Sequence, residues 1–180
     1  GTDLIVNHVE KYVCPTVTSD QILGGAPHRF SGDLRKHIVF LIGEREYGTE
    51  KTVPRFVSEN LTPSFRTTFV FADPEGADRN KFHGIEALTD ADLLFVSVRR
   101  RALPEKDLKL VRDHIEKGKP VIGIRTASHA FSLRGKPAPQ GHAVWEEWDA
   151  EVIGGNYTGH HGNALTTEVR STKEGLSFLG

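Results

Sequence analysis

Cysteine is almost missing from this chain: there is one, Cys14, in 180 residues. A lone cysteine makes no internal disulfide and excludes CxxC zinc sites and redox pairs. Long apolar runs are missing too. The longest, residues 38–42 and 93–96, fall far short of the ~18 residues that span a bilayer. There is no excess of charge of either sign, with 23 Lys and Arg against 24 Asp and Glu. That balance lacks the basic surplus of a nucleic-acid footprint. No GxxxxGK[ST] or GxGxxG loop follows a strand-like run, so Gly24-Gly25 is not a phosphate loop. Methionine is absent, and the chain opens on Gly1-Thr2 with no signal-like segment. The compartment therefore stays open between the cytoplasm and export with a signal peptide removed.

What is present belongs to a globular domain. Hydrophobic residues make up 37% and the 18 glycines bring the broader apolar share close to half, the usual range for folded chains. A chain of this length is about one domain, and it buries about two thirds of its unfolded surface without a metal or disulfide staple.

Residues 1–36 have little periodicity and read as an irregular extension with one short strand at 4–6. Regular structure starts at His37, where HIVFLIG is the short, β-branched apolar run of a strand buried on both faces. A helix follows over 49–61, with Thr49 as N-cap and Val53, Phe56, Val57 and Leu61 on its apolar face. RTTFVFA (66–72) and LLFVSV (93–98) are the second and third strands, with a short helix over 81–89 between them. Residues 104–117 form the clearest helix, opened by Pro104 and stopped by Gly118 and Pro120. PVIGI (120–124) is a fourth buried strand. Strands alternating with helices at this spacing predict an α/β fold, a mostly parallel sheet with helices on both faces.

In such sheets ligands bind beyond the carboxyl ends of the strands. Glu44, Glu46 and Tyr47 follow the first strand, Arg99-Arg100-Arg101 the third, and Arg125, Thr126 and His129 the fourth. Gly123-Ile124-Arg125-Thr126-Ala127 has the small flanking residues of a nucleophile elbow, but its central residue is an arginine. Arg125 there holds a carboxylate, phosphate or polarised oxygen, or else sits in a structural ion pair. Glu44 and Glu46 form a Glu-x-Glu pair suited to acid–base work, with a solvated strand end as the alternative. Gly154-Gly155-Asn156-Tyr157-Thr158-Gly159-His160-His161-Gly162-Asn163 is a glycine-rich polar loop from which at most one of the two histidines points into a site. His129, His142 and His160 match no metal-binding spacing, so no cofactor is expected; a His-bound divalent metal is the weaker alternative. Trp145 and Trp148, on a short helix over 144–150, are expected to pack in the core or a lid before stacking on a sugar. Cys14 lies away from every strand exit.

These segments together resemble one family. From about His37 to Asn163, HIVFLIGEREYGTE, ADLLFVSVRRRALPEKDLKLV, KPVIGIRTASHAF and EVIGGNYTGHHGN, in that order, resemble the ThuA-like (trehalose-utilisation) proteins of the class I glutamine-amidotransferase-like superfamily. The resemblance implies a flavodoxin-like three-layer sandwich over 37–180 and an association with sugar metabolism. It thins after Asn163, where relatives continue through further strands and a helix, implying a domain short at its far end. Amidotransferases of the superfamily carry Cys in a Gly-x-Cys-x-Gly elbow. Arg125 stands in that place here, so glutamine hydrolysis through a thiol ester is not expected. The family's Gly-Gly-x-aromatic-x-x-His signature falls on Gly154, Gly155, Tyr157 and His160, favouring His160 over His161.

The resulting expectation is an enzyme acting on a sugar or oxidised sugar derivative, with His160, Arg125 and Glu44 as catalytic residues. Glu46, Tyr47, Arg99, Thr126, His129, Asn156 and Tyr157 are the expected substrate-binding residues. A non-catalytic sugar-binding or accessory module of a larger secreted protein is the alternative. The partners expected are a small carbohydrate ligand, with no nucleic acid and no membrane span, and self-association left open.

Overall fold

A computed structural model describes residues 34–72, 76, 79–162, 164–166, 168 and 170–173. The expected strand at 4–6, Cys14, Gly24-Gly25 and Asn163 lie outside the described residues. The chain forms a four-stranded parallel sheet in the order β2-β1-β3-β5, built from β1 (His37–Gly43), β2 (Arg66–Phe71), β3 (Leu93–Val98) and β5 (Val121–Gly123). This 2-1-3 order, continued by the last strand on the far side of β3, is that of a flavodoxin-like sheet. A two-residue ribbon pairs β4 (Leu103–Pro104) antiparallel with β6 (His142–Ala143).

The sequence of β1 explains its central place. All seven of its residues are buried, and alternate side chains serve opposite faces. Ile38, Phe40 and Ile42 meet Val53 and Val57 of α1 (Thr49–Asn60), with Phe69 and Phe71 of β2 beside them. Val39 and Leu41 belong to the opposite core, with Leu94 and Val96 of β3, Leu108 and Val111 of α2 (Glu105–Glu116), Phe131 and Trp148. Helices thus cover both faces, giving the three-layer α/β sandwich. Among the described residues no helix is long and apolar enough to cross a membrane.

Several local expectations shift. Gly48, with φ 64°, takes the N-cap of α1 in place of Thr49, since glycine enters the left-handed region without a Cβ clash. Pro104 sits at the cap of α2, one position before the first turn. Residues 81–89 contribute only a single 3₁₀ turn, Ile85–Thr89. The fourth strand is more exposed than its apolar run predicts. Val121 is half-buried, Ile122 is 47% exposed, and among the described residues β5 pairs with β3 alone. An apolar β-branched run identifies a strand without revealing whether a layer covers it. Phe56 is likewise 56% exposed. With Leu61, Phe65, Leu93, Phe95 and Ile122 it lines an open apolar groove of about 730 Å³ on the α1 side.

The segment after β5 is fastened by tryptophans. Trp148 is fully buried and its indole Nε1 donates to the Ala127 carbonyl at 2.7 Å. Trp145 and Phe131 pack edge-on against it, with ring centres 5.3 and 4.8 Å away. Core packing, the expected role, is the one observed. Trp148→Phe should lower stability by about 1–3 kcal/mol, the cost of leaving a buried carbonyl without its donor. Trp148→Ala should cost about 3–5 kcal/mol. Urea denaturation measures both, and a Trp148→Phe protein as stable as the wild type contradicts the role given to the hydrogen bond.

Candidate active site at the carboxyl ends of the strands

Two backbone hydrogen bonds bring the exits of β3 and β5 together. Arg100 N donates to the His129 carbonyl at 3.1 Å and Arg101 N to the Ala130 carbonyl at 2.8 Å. The elbow after β5 is tight, because a Cβ on Gly123 would lie 2.9 Å from the Ala127 Cβ. Its strained residue is Thr126, at φ 78°, one position beyond the expected centre. A β-branched residue in the left-handed region is a true outlier, and a hydrogen bond from Thr126 Oγ1 to the Val98 carbonyl, 3.0 Å, holds it there.

The three consecutive arginines after β3 take three different roles. Arg101 is buried and donates through Nε to the Gly43 carbonyl at 3.0 Å and through Nη1 to the Arg79 carbonyl, tying β1 to the β3 exit. Arg99 pairs with Glu46 at 2.8 Å, both part-exposed. Arg100, with φ 51°, lines a pocket.

That pocket, of about 380 Å³, lies between the exits of β3 and β5 and the loop after Trp148. Its lining includes Arg100, Ser128, His129, Arg134, Asp149 and Tyr157. The rings of His129 and Tyr157 lie 4.8 Å apart. The Tyr157 hydroxyl shares a 2.9 Å hydrogen bond with His160 Nδ1, and His129 Nδ1 shares one of 3.2 Å with Ser128 Oγ. Tyr157 N donates to Asp149 Oδ2 at 2.6 Å, while the buried Oδ1 of Asp149 has no hydrogen-bond partner among the described residues. Gly155 must stay small beside this carboxylate, since a Cβ there would fall 2.7 Å from Asp149 Oδ1.

Electrostatics set the protonation of His129. Burial first, then the positive charges of Arg100, Arg99 and Arg134, hold its pKa down to about 4, with Asp149 pulling weakly the other way. His129 is therefore a neutral imidazole at pH 7.

The expected site residues thus divide into two neighbouring groups. His129 and Tyr157 line the pocket and His160, exposed, adjoins it through Tyr157. Asn156 is exposed in the same loop. Glu44, Glu46, Tyr47, Arg99 and Arg125 form the second group, around the β1 exit. There the Arg125 guanidinium sits 4.3 Å from the Tyr47 ring centre, a cation–π contact. Glu44 is buried and its carboxylate is fully occupied. It accepts from Glu46 N at 2.6 Å, Tyr47 N at 3.1 Å, and Thr49 N and Oγ1 at 3.1 and 2.7 Å. Ser97 Oγ donates on to Thr49 Oγ1 at 2.8 Å, so the chain of bonds reaches β3. A carboxylate at a helix N-terminus suits the exposed N–H groups there, and Glu44 shapes the turn into α1.

Against known proteins, the chain matches no family model, no curated protein and no solved structure. The site therefore rests on its own geometry. Reading residues in chain order passed over Asp149, Arg134 and, as an individual, Arg100. The only local sign of Asp149 is the glycine pair that makes room for it. Among the described residues no three His, Cys, Asp or Glu side chains converge in a way that could hold a metal ion. His142 bonds its own neighbourhood, at the Gln140 carbonyl, 3.0 Å.

Three expectations can be measured by NMR and urea denaturation. In an NMR titration His129 should titrate near 4, and Arg100→Gln should raise it by removing a positive charge; a wild-type value near the ordinary 6.5 contradicts the electrostatic account. His37 and His114 are also held below their ordinary value, first by burial. The unfolded chain takes up these protons first, so stability should decline as pH falls below about 6.5. Glu44→Ala should destabilise the fold by about 1–3 kcal/mol by orphaning buried donors. An unchanged urea midpoint in that variant sinks the capping role.

Proposed function

We propose that this chain is a ThuA-like protein of carbohydrate metabolism, an enzyme acting without a cysteine nucleophile on a sugar or oxidised sugar derivative in the pocket between the β3 and β5 exits. The observation that supports this best is the neutral His129 imidazole packed at a tilt against Tyr157, whose hydroxyl is bonded to His160. An unprotonated imidazole in a polar pocket is ready to accept a proton. A pKa of about 4 makes it a weak base, and negative charge brought by a substrate beside the three arginines would raise it toward the operating pH. Tyr157 presents the complementary hydroxyl, with His160 behind it to supply or take up the proton. Arg100, whose charge faces the same space, stabilises negative charge developing on a substrate oxygen. The hydroxyls of Ser128 and Thr158 and the Tyr157 ring offer the mixed polar and aromatic wall that sugars bind.

Glu44 and Arg125 lie outside the pocket lining, and that favours one second reading, a sugar-binding or accessory module without turnover. Incubation of the full chain with mono- and disaccharides and their keto and acid derivatives, followed by NMR, separates the two. The enzyme reading predicts a product, with turnover reduced about 10²–10⁴-fold in His129→Gln and also reduced in His160→Gln. Binding without product selects the module, and wild-type turnover in both variants removes these residues from the mechanism.

A further inference from the structure

Most charged side chains around the sheet have partners. Arg66 pairs with Asp90 at 2.9 Å, Arg99 with Glu46 at 2.8 Å, and Arg101 is engaged by two carbonyls. Arg100 and Arg134 are different. Both line the same pocket, both sit at positive φ, 51° and 58°, and neither side chain has an ion-pair or hydrogen-bond partner among the described residues. The backbone of each is pinned: Arg100 N to the His129 carbonyl at 3.1 Å, Arg134 N to Ser132 Oγ at 3.2 Å. Strained backbone positions persist where the surroundings over-determine them, and they cluster at ligand sites.

Two carboxylates also face the pocket. Glu146 is committed to the turn that carries Arg134, accepting from Ser132 Oγ and, at 3.0 Å, from Leu133 N. Asp149 accepts from Tyr157 N through Oδ2 and keeps Oδ1 buried without a partner. The pocket thus makes two demands. Its guanidinium pair calls for an anion, and its carboxylate and hydroxyl lining, Asp149, Ser128 and Thr158, calls for hydroxyl groups. The balance of charge at His129, where three arginines outweigh Asp149, agrees with an anion site.

We infer that the pocket takes an anionic polyol, a sugar-like molecule bearing a carboxylate or phosphate, whose anionic group is held by Arg100 and Arg134 and whose hydroxyls meet Asp149, Ser128 and Thr158. A neutral sugar satisfies only the second demand and a simple dicarboxylate only the first. The inference rests on the carbohydrate reading of this pocket and names the substrate class within it. It also moves anion recognition from Arg125, which lies on Tyr47, to Arg100, the second arginine after β3, and Arg134 in the loop after Phe131.

Calorimetric titration of the full chain with gluconate, glucose 6-phosphate, glucose and succinate tests it. Gluconate or glucose 6-phosphate should bind at least about tenfold more tightly than glucose or succinate, a difference of the size that charge-assisted hydrogen bonds provide. Whichever of the two binds better identifies the anionic group. Arg100→Gln and Arg134→Gln should each erase the preference over glucose, with circular dichroism unchanged because neither side chain supports the fold. Asp149→Asn should weaken gluconate or glucose 6-phosphate and leave succinate as it was. Glucose binding as tightly as the anionic sugars overturns the inference and leaves the carbohydrate reading standing. Succinate matching them overturns the carbohydrate reading itself. A preference for anionic sugars that survives in both arginine variants overturns the assignment to this pocket, and no binding by any of the four contradicts both readings.

Discussion

One buried hydrogen bond, from the Trp148 indole to the Ala127 carbonyl, carries much of the site. The parallel sheet brings its strand ends to one edge, but a pocket there needs a wall that the sheet itself does not supply. That wall is the loop after Trp148, and the indole fastens it under the turn that follows β5. Asp149 comes next in the chain, Tyr157 is bonded to Asp149, and His129 lies against Tyr157. Each functional group is thus placed by the one before it, starting from a side chain with no solvent exposure. Sites built on such locked elements hold their geometry better than free loops.

The same order explains the chemistry. Bringing the β3 exit against the 127–130 turn by backbone hydrogen bonds puts Arg100 beside His129. Burial and that positive charge together keep the imidazole neutral far below its ordinary pKa. Base, hydroxyl and cation therefore share one small polar cavity, while the wide apolar groove on the α1 side has none of these groups facing it except at its Lys36, Asp92 and Lys119 rim. The polar cavity and the larger apolar depression are in different places.

Much of the scaffold was legible in the residues. β1 and β3 are short, β-branched apolar runs bounded by polar residues, and both appear at the expected positions. The two long helices follow their apolar spacing within a residue or two. What periodicity does not carry is the identity of the covering layer, so β5 and Phe56 were expected inside and are open to solvent. Spacing also does not say which of three adjacent arginines turns inward. That depends on the positive φ at Arg100 and on which carbonyls Arg101 reaches. Glu44 read as an acid–base group because a Glu-x-Glu pattern at a strand end is chemically ambiguous; its four donors come from a helix start visible only in three dimensions. Tyr157 and His160 share one glycine-rich loop three residues apart, and their side chains touch.

The proposed ligand site lies between the β3 and β5 exits, at the pocket formed by Arg100, His129, Asp149 and Tyr157. Backbone amide chemical-shift mapping during titration with an anionic sugar tests that most directly. The account predicts that the perturbed amides cluster at 99–101, 126–134 and 149–160. Perturbations confined to the apolar groove around Phe56, Phe95 and Ile122, with those three segments unmoved, would contradict it.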